Sequence, residues 1–157
     1  MAMPERELIR GECIVRELQF NEDVKLTRKG LVRYIALSLG LISPNESRTG
    51  LLEVLEALLS FHYARREGTA DPDIYGILEK MKEIRKGEPN PKAVRYHLLQ
   101  LKKLGLVETK KRRYRFVLAP LQEDDSLAQA FAYVYRQRME SSFEKIGRAL
   151  SLLEKTL

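Results

Sequence analysis

Residues 90–118 hold the feature that most restricts how this chain can fold: one amphipathic helix followed directly by two short strands. Asn90-Pro91 is a helix start signal, because the Asn side chain can accept from free N–H groups of the first turn and proline at N1 loses no hydrogen bond. Gly105 can take the left-handed conformation that ends a helix. Between them, four aliphatic residues recur at a spacing of 3–4 on one side: Val94, Leu98, Leu101 and Leu104.

The residues after Gly105 predict a β-hairpin with an unusual tip. Leu106–Thr109 and Tyr114–Leu118 are short runs rich in residues that favour strands. Between them lie Lys110, Lys111, Arg112 and Arg113, whereas hairpin turns usually contain Gly, Asn or Asp. Four adjacent cations repel one another and bring no evident benefit to folding. A polyanion opposite them would relieve that repulsion and release counterions.

The side of helix 91–104 opposite the aliphatic stripe carries residues that can contact DNA. At 100° per residue, Lys92, Tyr96, Leu99 and Lys103 lie on that side, with Arg95 at its edge. Arg95 can make a bidentate contact to guanine, and Tyr96 can contact a thymine methyl group or a phosphate. Lys103 is better placed for the phosphate backbone. The alternative is an ordinary amphipathic helix with solvated cations.

Charge is concentrated on this part of the chain. Residues 80–118 contain thirteen Lys or Arg against three Glu, a net charge of +10, so that the rest of the chain carries −4 of the total +6. A basic surface on one structural unit is typical of phosphate binding. A solvated surface, or the charge-rich composition of a thermophilic protein, would give a similar count.

Several other classes of protein are disfavoured by the sequence. No apolar run approaches the roughly 18–20 residues needed to cross a bilayer, and the first residues lack signal-peptide order. A single cysteine and two histidines give no zinc-ligand spacing, and there is no glycine-rich phosphate loop or nucleophile motif. We therefore expect a cytoplasmic, nucleoid-associated protein that is not an enzyme and needs no cofactor, metal or membrane.

The remaining helices are predicted from their caps and apolar spacing. Residues 5–18 suit a helix, although a strand could start at Cys13. The other helices are predicted to run from Thr27 to Gly40, from Ser47 or Thr49 to Tyr63, from Asp71-Pro72 to Gly87, and from Asp125 or Ser126 to residue 156. His62 and His97 are expected in or near the core, and Cys13 is expected to be a small buried apolar residue.

The last helix predicts a homodimer. Its apolar residues include Phe143, Ile146, Leu150, Leu153 and Leu157, at the alternating 3–4 spacing of a coiled coil. With the upstream residues, the expected dimer interface is Phe131, Tyr135, Met139, Phe143, Ile146, Leu150 and Leu153. The alternative is packing of this helix on the chain's own N-terminal helices. A two-fold dimer would place two recognition helices about 34–36 Å apart on a pseudo-palindromic site.

The stretch Ala93–Val107 resembles the recognition helix and first wing strand of winged-helix transcriptional regulators of bacteria and archaea. The ArsR, MarR and PadR families share its Val-x-x-x-Leu-x-x-Leu-x-x-Leu-Gly-Leu-Val cadence. The PadR layout of wing and C-terminal dimerising helix is the most similar, although Asp73-Ile-Tyr-Gly-Ile departs from that family's His-Gly-Tyr element. The resemblance implies that Lys92, Arg95, Tyr96 and Leu99 face the major groove and that Lys110–Arg113 form the wing tip.

The expected fold is therefore mainly α (α+β), a winged helix-turn-helix with a two-stranded wing. Its parts are an N-terminal helical extension at 1–48, a DNA-binding domain at 49–120 and a dimerisation helix at 121–157. The expected function is sequence-specific regulation of transcription on double-stranded DNA, with helix 91–104 in the major groove and wing 106–118 on the backbone or minor groove. Two alternatives stay open: a protein-interaction subunit of a DNA-processing assembly, and a non-specific architectural DNA-binding protein. The sequence specifies no effector.

Overall fold

The computed structural model describes residues 4–66 and 68–157, which are mainly helical with one small antiparallel sheet. Short helices come first, and a long helix ends the chain. The elements, in order, are α1 (Glu5–Leu8), α2 (Glu22–Lys25), α3 (Arg28–Ser38), α4 (Gly50–Tyr63), α5 (Ile74–Arg85), α6 (Pro91–Lys103), β1 (Val107–Lys110), β2 (Arg113–Phe116) and α7 (Leu127–Thr156). The predicted mainly helical class with a two-stranded sheet is confirmed.

Helix α4 lies at the centre of the core. It contacts α3, α5, α6 and β2, and most of its circumference is buried. A helix that is apolar nearly all round is expected to have neighbours on every side. Its most deeply buried residues are Val54, Leu55, Ala57 and Leu58. Helix α4 therefore fixes the positions of α6 and the sheet relative to α3 and α5.

Several predicted caps are confirmed by hydrogen bonds. The Thr27 hydroxyl accepts from Gly30 N at 2.9 Å at the start of α3. Ser126 Oγ accepts from Gln129 N at 3.3 Å at the start of α7. Each side chain satisfies an N–H group that the first turn of a helix leaves without a partner. These ends of the helices are accordingly where local sequence chemistry predicts them.

The predicted start of α5 at Asp71-Pro72 is wrong by two residues. Asp73 is the N-cap, and its carboxylate accepts from Gly76 N at 2.9 Å. Pro72 O instead accepts from Tyr114 N at 2.8 Å. Because this bond holds residues 71–72 alongside β2, the chain is extended where the local signal favours a helix. Tertiary pairing with the hairpin outweighs the cap preference.

The prediction for residues 5–18 is also wrong beyond Leu8. Residues 9–20 form neither a helix nor a strand. Arg16 N donates to Ser38 O at 2.8 Å, and the Arg16 guanidinium donates to Leu37 O at 2.7 Å and Ile42 O at 2.9 Å. These three bonds satisfy carbonyls near the C-terminal end of α3. The segment is non-helical because Arg16 bonds to that helix end, which the apolar spacing of the segment does not indicate.

The two halves of α7 have different surroundings. In the first half, Leu127, Ala130 and Tyr135 are buried, and the Phe131 ring lies 5.4 Å from the ring of Phe116 in β2. In the second half, every residue from Glu140 to Leu157 is exposed. At 1.5 Å per residue, this distal half of α7 extends for about 27 Å. The first half belongs to the core of its own chain, and the distal half does not.

Tyr135 joins α7 to the end of α3. Because its hydroxyl is buried, the free energy of unfolding should decrease as the pH rises above 10. Its hydroxyl donates to Leu39 O at 2.8 Å, and burial raises its pKa from 10.0 to about 12. The folded chain then keeps a proton that the unfolded chain loses, so this contribution is intact below pH 10 and is lost as the pH rises toward 12. We expect Tyr135→Phe to lower the free energy of unfolding by about 1 kcal/mol at neutral pH.

Urea unfolding at pH 7 and at pH 11 measures both effects. The Tyr135→Phe variant should lose less stability between the two pH values than the wild type. Tyr133, two residues earlier and 38% exposed, provides the control, and Tyr133→Phe should unfold like the wild type at both pH values. Equal pH sensitivity of the Tyr135→Phe variant and the wild type would contradict this role of burial.

Candidate nucleic-acid interface

Helix α6 has one buried apolar face and one exposed polar face, and both of its ends are capped. Val94, Leu98 and Leu101 are buried. The Asn90 carboxamide oxygen accepts from Lys92 N at 3.0 Å and from Ala93 N at 3.4 Å, with Pro91 at N1 as predicted. The predicted helix 91–104 is confirmed as Pro91–Lys103, with Leu104 as its C-cap.

Gly105 ends α6 as predicted and sets the direction of the hairpin. It has a φ of +83°, Gly105 N donates to Lys102 O, and Leu106 N donates to Leu101 O. Together these bonds form a Schellman motif. Leu101 and Leu106 are both buried, which adds the apolar contact that accompanies this motif. The hairpin therefore leaves α6 at a defined angle.

The residues predicted to face the major groove are all exposed. Tyr96 is 59% exposed and Leu99 is 47% exposed. Gln100 Nε2 donates to the Tyr96 hydroxyl at 3.2 Å, and this bond orders the tyrosine ring on the helix surface. Lys92, Arg95 and Lys103 are exposed too. Among residues 4–66 and 68–157, none of these three side chains has a hydrogen-bond or ion-pair partner.

The hairpin has the predicted strands with slightly shifted ends. Strand β1 pairs with β2 in antiparallel register from Val107↔Phe116 to Lys110↔Arg113, and Val117 N extends the pairing by donating to Leu106 O at 2.9 Å. The loop is only two residues, Lys111 and Arg112, with φ values of +52° and +66°. Positive φ at both positions is the geometry of a type I′ turn, in which Asn-Gly is preferred. The tip therefore places two cations in a backbone conformation that disfavours them.

The cations of the hairpin have two different roles. Arg113 donates to Asp71 O at 2.6 Å, and Arg115 forms an ion pair with its cross-strand neighbour Glu108 at 2.7 Å. Both guanidinium groups thus brace the hairpin. Lys110, Lys111 and Arg112 are exposed, and within the described part of the chain their side chains have no hydrogen-bond partner. Of the four predicted wing-tip cations, Arg113 contributes most to holding the tip.

A basic cleft lies between α6 and the hairpin. It has a volume of about 400 Å³ and contains Arg95 from the helix with Lys111 and Arg112 from the tip. Lys102 also lines it and donates to Thr109 Oγ1 at 2.8 Å. Lys102 is absent from the residues selected by sequence, because helical rotation alone does not show that it faces the hairpin. Four cations from two elements converge there, which suits the spaced negative charges of a phosphate backbone.

Lys103 lies at the end of α6 beside α7, where its carbonyl accepts from the Arg138 guanidinium at 3.0 Å.

The predicted dimer residues on α7 fall into a packed group and an exposed group. Phe131 and Tyr135 pack within their own chain and are therefore not part of an exposed dimer surface, and Met139 is half-buried. Phe143, Ile146, Leu150 and Leu153 are 49–66% exposed. Of the predicted dimer surface, the part that is exposed lies on the distal half of α7.

The two histidines lie where expected, and Cys13 does so in part. His62 is buried, and its Nε2 lies 2.8 Å from Asp125 O. His97 is half-buried against Gly50, where an added Cβ atom would lie 3.0 Å from His97 Nε2. Cys13 is half-buried near Tyr135 O, at 3.8 Å. These residues support packing of the chain.

Within the described ranges, no three His, Cys, Asp or Glu residues are grouped closely enough to hold a metal ion. No helix in the part of the chain that the structure describes combines the length and hydropathy required to cross a membrane. Comparisons with protein-family models, curated proteins and solved structures found no match to this chain.

Proposed function

We propose that this protein binds double-stranded DNA as a sequence-specific transcriptional regulator. In this proposal α4, α5, α6 and the hairpin form a winged helix, with α6 in the major groove and the hairpin on the backbone or minor groove. The observation that carries the proposal is the basic cleft, where Arg95 and Lys102 of α6 face Lys111 and Arg112 of the tip. A major groove about 12 Å wide admits a helix with such a face.

The exposed face of α6 also supports reading of sequence rather than charge attraction alone. Arg95 can donate two parallel hydrogen bonds to one guanine, while Tyr96 and Leu99 offer apolar contact to thymine methyl groups. The cations of the tip would contact phosphates, which position the protein without reading bases. Helix and hairpin thus divide specificity and affinity between them.

The proposal includes a homodimer formed through the distal half of α7. The chain exposes 11912 Å², whereas a compact monomer of 18.2 kDa is expected to expose about 8,100 Å². Both the N-terminal segment and the distal half of α7 are largely exposed. On the distal half of α7, exposed apolar residues recur at coiled-coil spacing: Phe143, Ile146, Leu150, Leu153 and Leu157. An exposed apolar face that runs along a helix in this way favours association.

Selection of bound fragments from genomic DNA, followed by fluorescence anisotropy, tests the proposed specificity. We expect Arg95→Ala to reduce discrimination between the selected site and a base-substituted site by about 1–3 kcal/mol. Lys110→Gln is the matched control, since it should weaken both sites equally and leave their ratio unchanged. Its side chain is exposed on the hairpin and lies outside the face that reads bases.

Three outcomes distinguish the alternatives. If the protein binds all DNA fragments equally at every salt concentration, it is not a sequence-specific regulator, and an architectural role is favoured. Absence of DNA binding even at low salt would contradict the proposal and favour a protein partner for the basic cleft. If the wild type and Arg95→Ala discriminate equally between the selected site and the base-substituted site, Arg95 does not read a base.

A further inference from the structure

Two adjoining clefts lie between α3, α4 and α5, away from the basic cleft. One has a volume of about 410 Å³ and the other about 610 Å³. Val32 of α3 and Glu56 of α4 line both clefts, which adjoin at these two side chains and together form the groove. Each volume falls in the range of pockets that hold small molecules. The groove is therefore large enough for a metabolite.

Glu56 is the polar group that distinguishes this groove. The residue is only 7% exposed, and among residues 4–66 and 68–157 its carboxylate has no hydrogen bond or ion pair. Glu53, one turn earlier, already has partners: Thr49 Oγ1 donates to its Oε1 at 3.2 Å, and its buried Oε2, which accepts no hydrogen bond, lies 3.5 Å from Arg85 Nε. The oxygens of Glu56 are not sealed in this way, so its carboxylate reaches the groove while most of the side chain is covered. A donor on a ligand in the groove would therefore meet an accessible carboxylate that no group of the described residues satisfies.

Part of the groove wall is aliphatic. Its aliphatic lining comes from all three helices: Leu31, Val32 and Ile35 of α3, Leu52 and Leu59 of α4, and Ile84 of α5. Pockets of this kind bury the body of a ligand against apolar side chains and orient it with a few polar groups. The groove therefore suits a ligand with an aliphatic or aromatic body and a donor group that reaches Glu56.

Basic residues around the groove indicate that the ligand also carries a negative charge. Five basic residues line it against the two carboxylates of Glu53 and Glu56: Arg28, Lys29, Arg33, Lys80 and Arg85. Arg85 is paired with Glu53 and Lys80 with Glu83, so the excess of positive charge comes from Arg28, Lys29 and Arg33 of α3. A simple organic cation would be attracted by Glu56 and repelled by these three residues. A ligand with both an ammonium and a carboxylate group satisfies Glu56 and the surrounding cations together.

We propose that this groove binds an apolar α-amino acid. Its ammonium group donates to the Glu56 carboxylate, and its carboxylate lies toward the cations of α3, among which Lys29 is exposed and unpaired within the described ranges. Its side chain occupies the aliphatic part of the groove. This inference does not depend on DNA binding, because the basic cleft shares no residue with the groove.

Isothermal titration calorimetry on the full chain tests the proposal with three matched probes. L-leucine carries both charged groups, 3-methylbutan-1-amine lacks the carboxylate, and 4-methylpentanoate lacks the ammonium group. We expect L-leucine to bind at least about tenfold more tightly than either analogue, a difference of about 1.4 kcal/mol. L-phenylalanine and L-methionine extend the panel to other apolar side chains. If none of the three amino acids binds, the proposal is wrong.

Three variants locate the binding site. Glu56→Gln should weaken L-leucine at least tenfold, because a neutral amide no longer attracts the ammonium group. It should unfold no lower than the ligand-free wild type, because the Glu56 carboxylate has no partner among the described residues to lose. Lys29→Gln should weaken L-leucine and should not weaken the amine, whose affinity should rise slightly because one repelling cation is removed. Glu79→Gln, on the exposed side of α5, is the control and should bind like the wild type.

Two results with these variants would overturn the inference. Unchanged L-leucine affinity in Glu56→Gln would place the ligand elsewhere. A lower unfolding temperature for Glu56→Gln, together with a change from dimer to monomer in light scattering, would mean that a second copy covers the groove.

Discussion

Replacing Lys111-Arg112 by Asn-Gly should stabilise the protein and weaken the proposed binding to DNA. Asn and Gly tolerate the positive φ values that Lys111 and Arg112 adopt, so we expect the free energy of unfolding to rise by about 2 kcal/mol. The same change removes two cations from the basic cleft. Loss of two phosphate contacts should lower DNA affinity by about 10- to 100-fold near 0.1 M salt and reduce the salt slope by about 1.8.

A charge-only variant separates the two effects. Lys111→Gln with Arg112→Gln removes the cations and keeps side chains that are equally strained at positive φ. It should lose DNA affinity as the Asn-Gly variant does, without the gain in stability. Lys145→Gln with Arg148→Gln removes the same charge from the distal half of α7 and should bind DNA like the wild type. If the Asn-Gly variant kept wild-type affinity and salt slope, the tip would not contact DNA.

Introducing charge into the apolar face of the distal half of α7 should produce a monomer. Ile146→Glu with Leu153→Glu places two carboxylates in the proposed seam, where burial of unpaired charge prevents association. Since residues 140–157 are all exposed on their own chain, the fold of each subunit should be unaffected. Binding to a site with two half-sites should fall by about 10²–10⁴-fold, because the second half-site is no longer reached by a tethered copy.

The neighbouring positions supply a matched control. Ser151→Glu with Leu152→Glu adds the same charge outside the 3–4 repeat, on a helix face that is also exposed. Analytical ultracentrifugation should find this control dimeric and the seam variant monomeric, with similar circular dichroism. A wild type that is already monomeric at micromolar concentration would contradict the dimer, and so would a seam variant that remains a dimer.

Local signals in the sequence predict much of the fold around the candidate interface. Asn90-Pro91, Gly105 and Ser126 each act through atoms within a few residues, so their effect on helix ends is independent of the rest of the chain. The polar face of α6 follows equally from helical rotation about a buried stripe. These features need no knowledge of which elements pack together.

Features that depend on distant contacts were not predictable. Pro72 is drawn to β2 by Tyr114, forty-two residues later, so that α5 starts at Ile74. Residues 9–20 follow the end of α3 because Arg16 bonds to carbonyls there. Lys111-Arg112 contains none of the residues that favour positive φ, so the two-residue turn has no local signature. Both halves of α7 carry an apolar stripe, with steps of four in the first half and alternating steps of three and four in the distal half. Only packing shows that the first stripe is buried in its own chain and the second is exposed.

The first half of α7 is packed on its own chain and the distal half is exposed, which affects how the proposed dimer would respond to the concentration of the chain in the cell. In the proposed dimer, each subunit keeps its core within its own chain, so association would follow mass action rather than being coupled to folding. At concentrations well below the dissociation constant of the pair, the amount of dimer would rise with the square of the chain concentration. Under the proposed function, halving expression would then reduce occupancy of an unsaturated paired site about fourfold, whereas a monomer would lose only half of its occupancy.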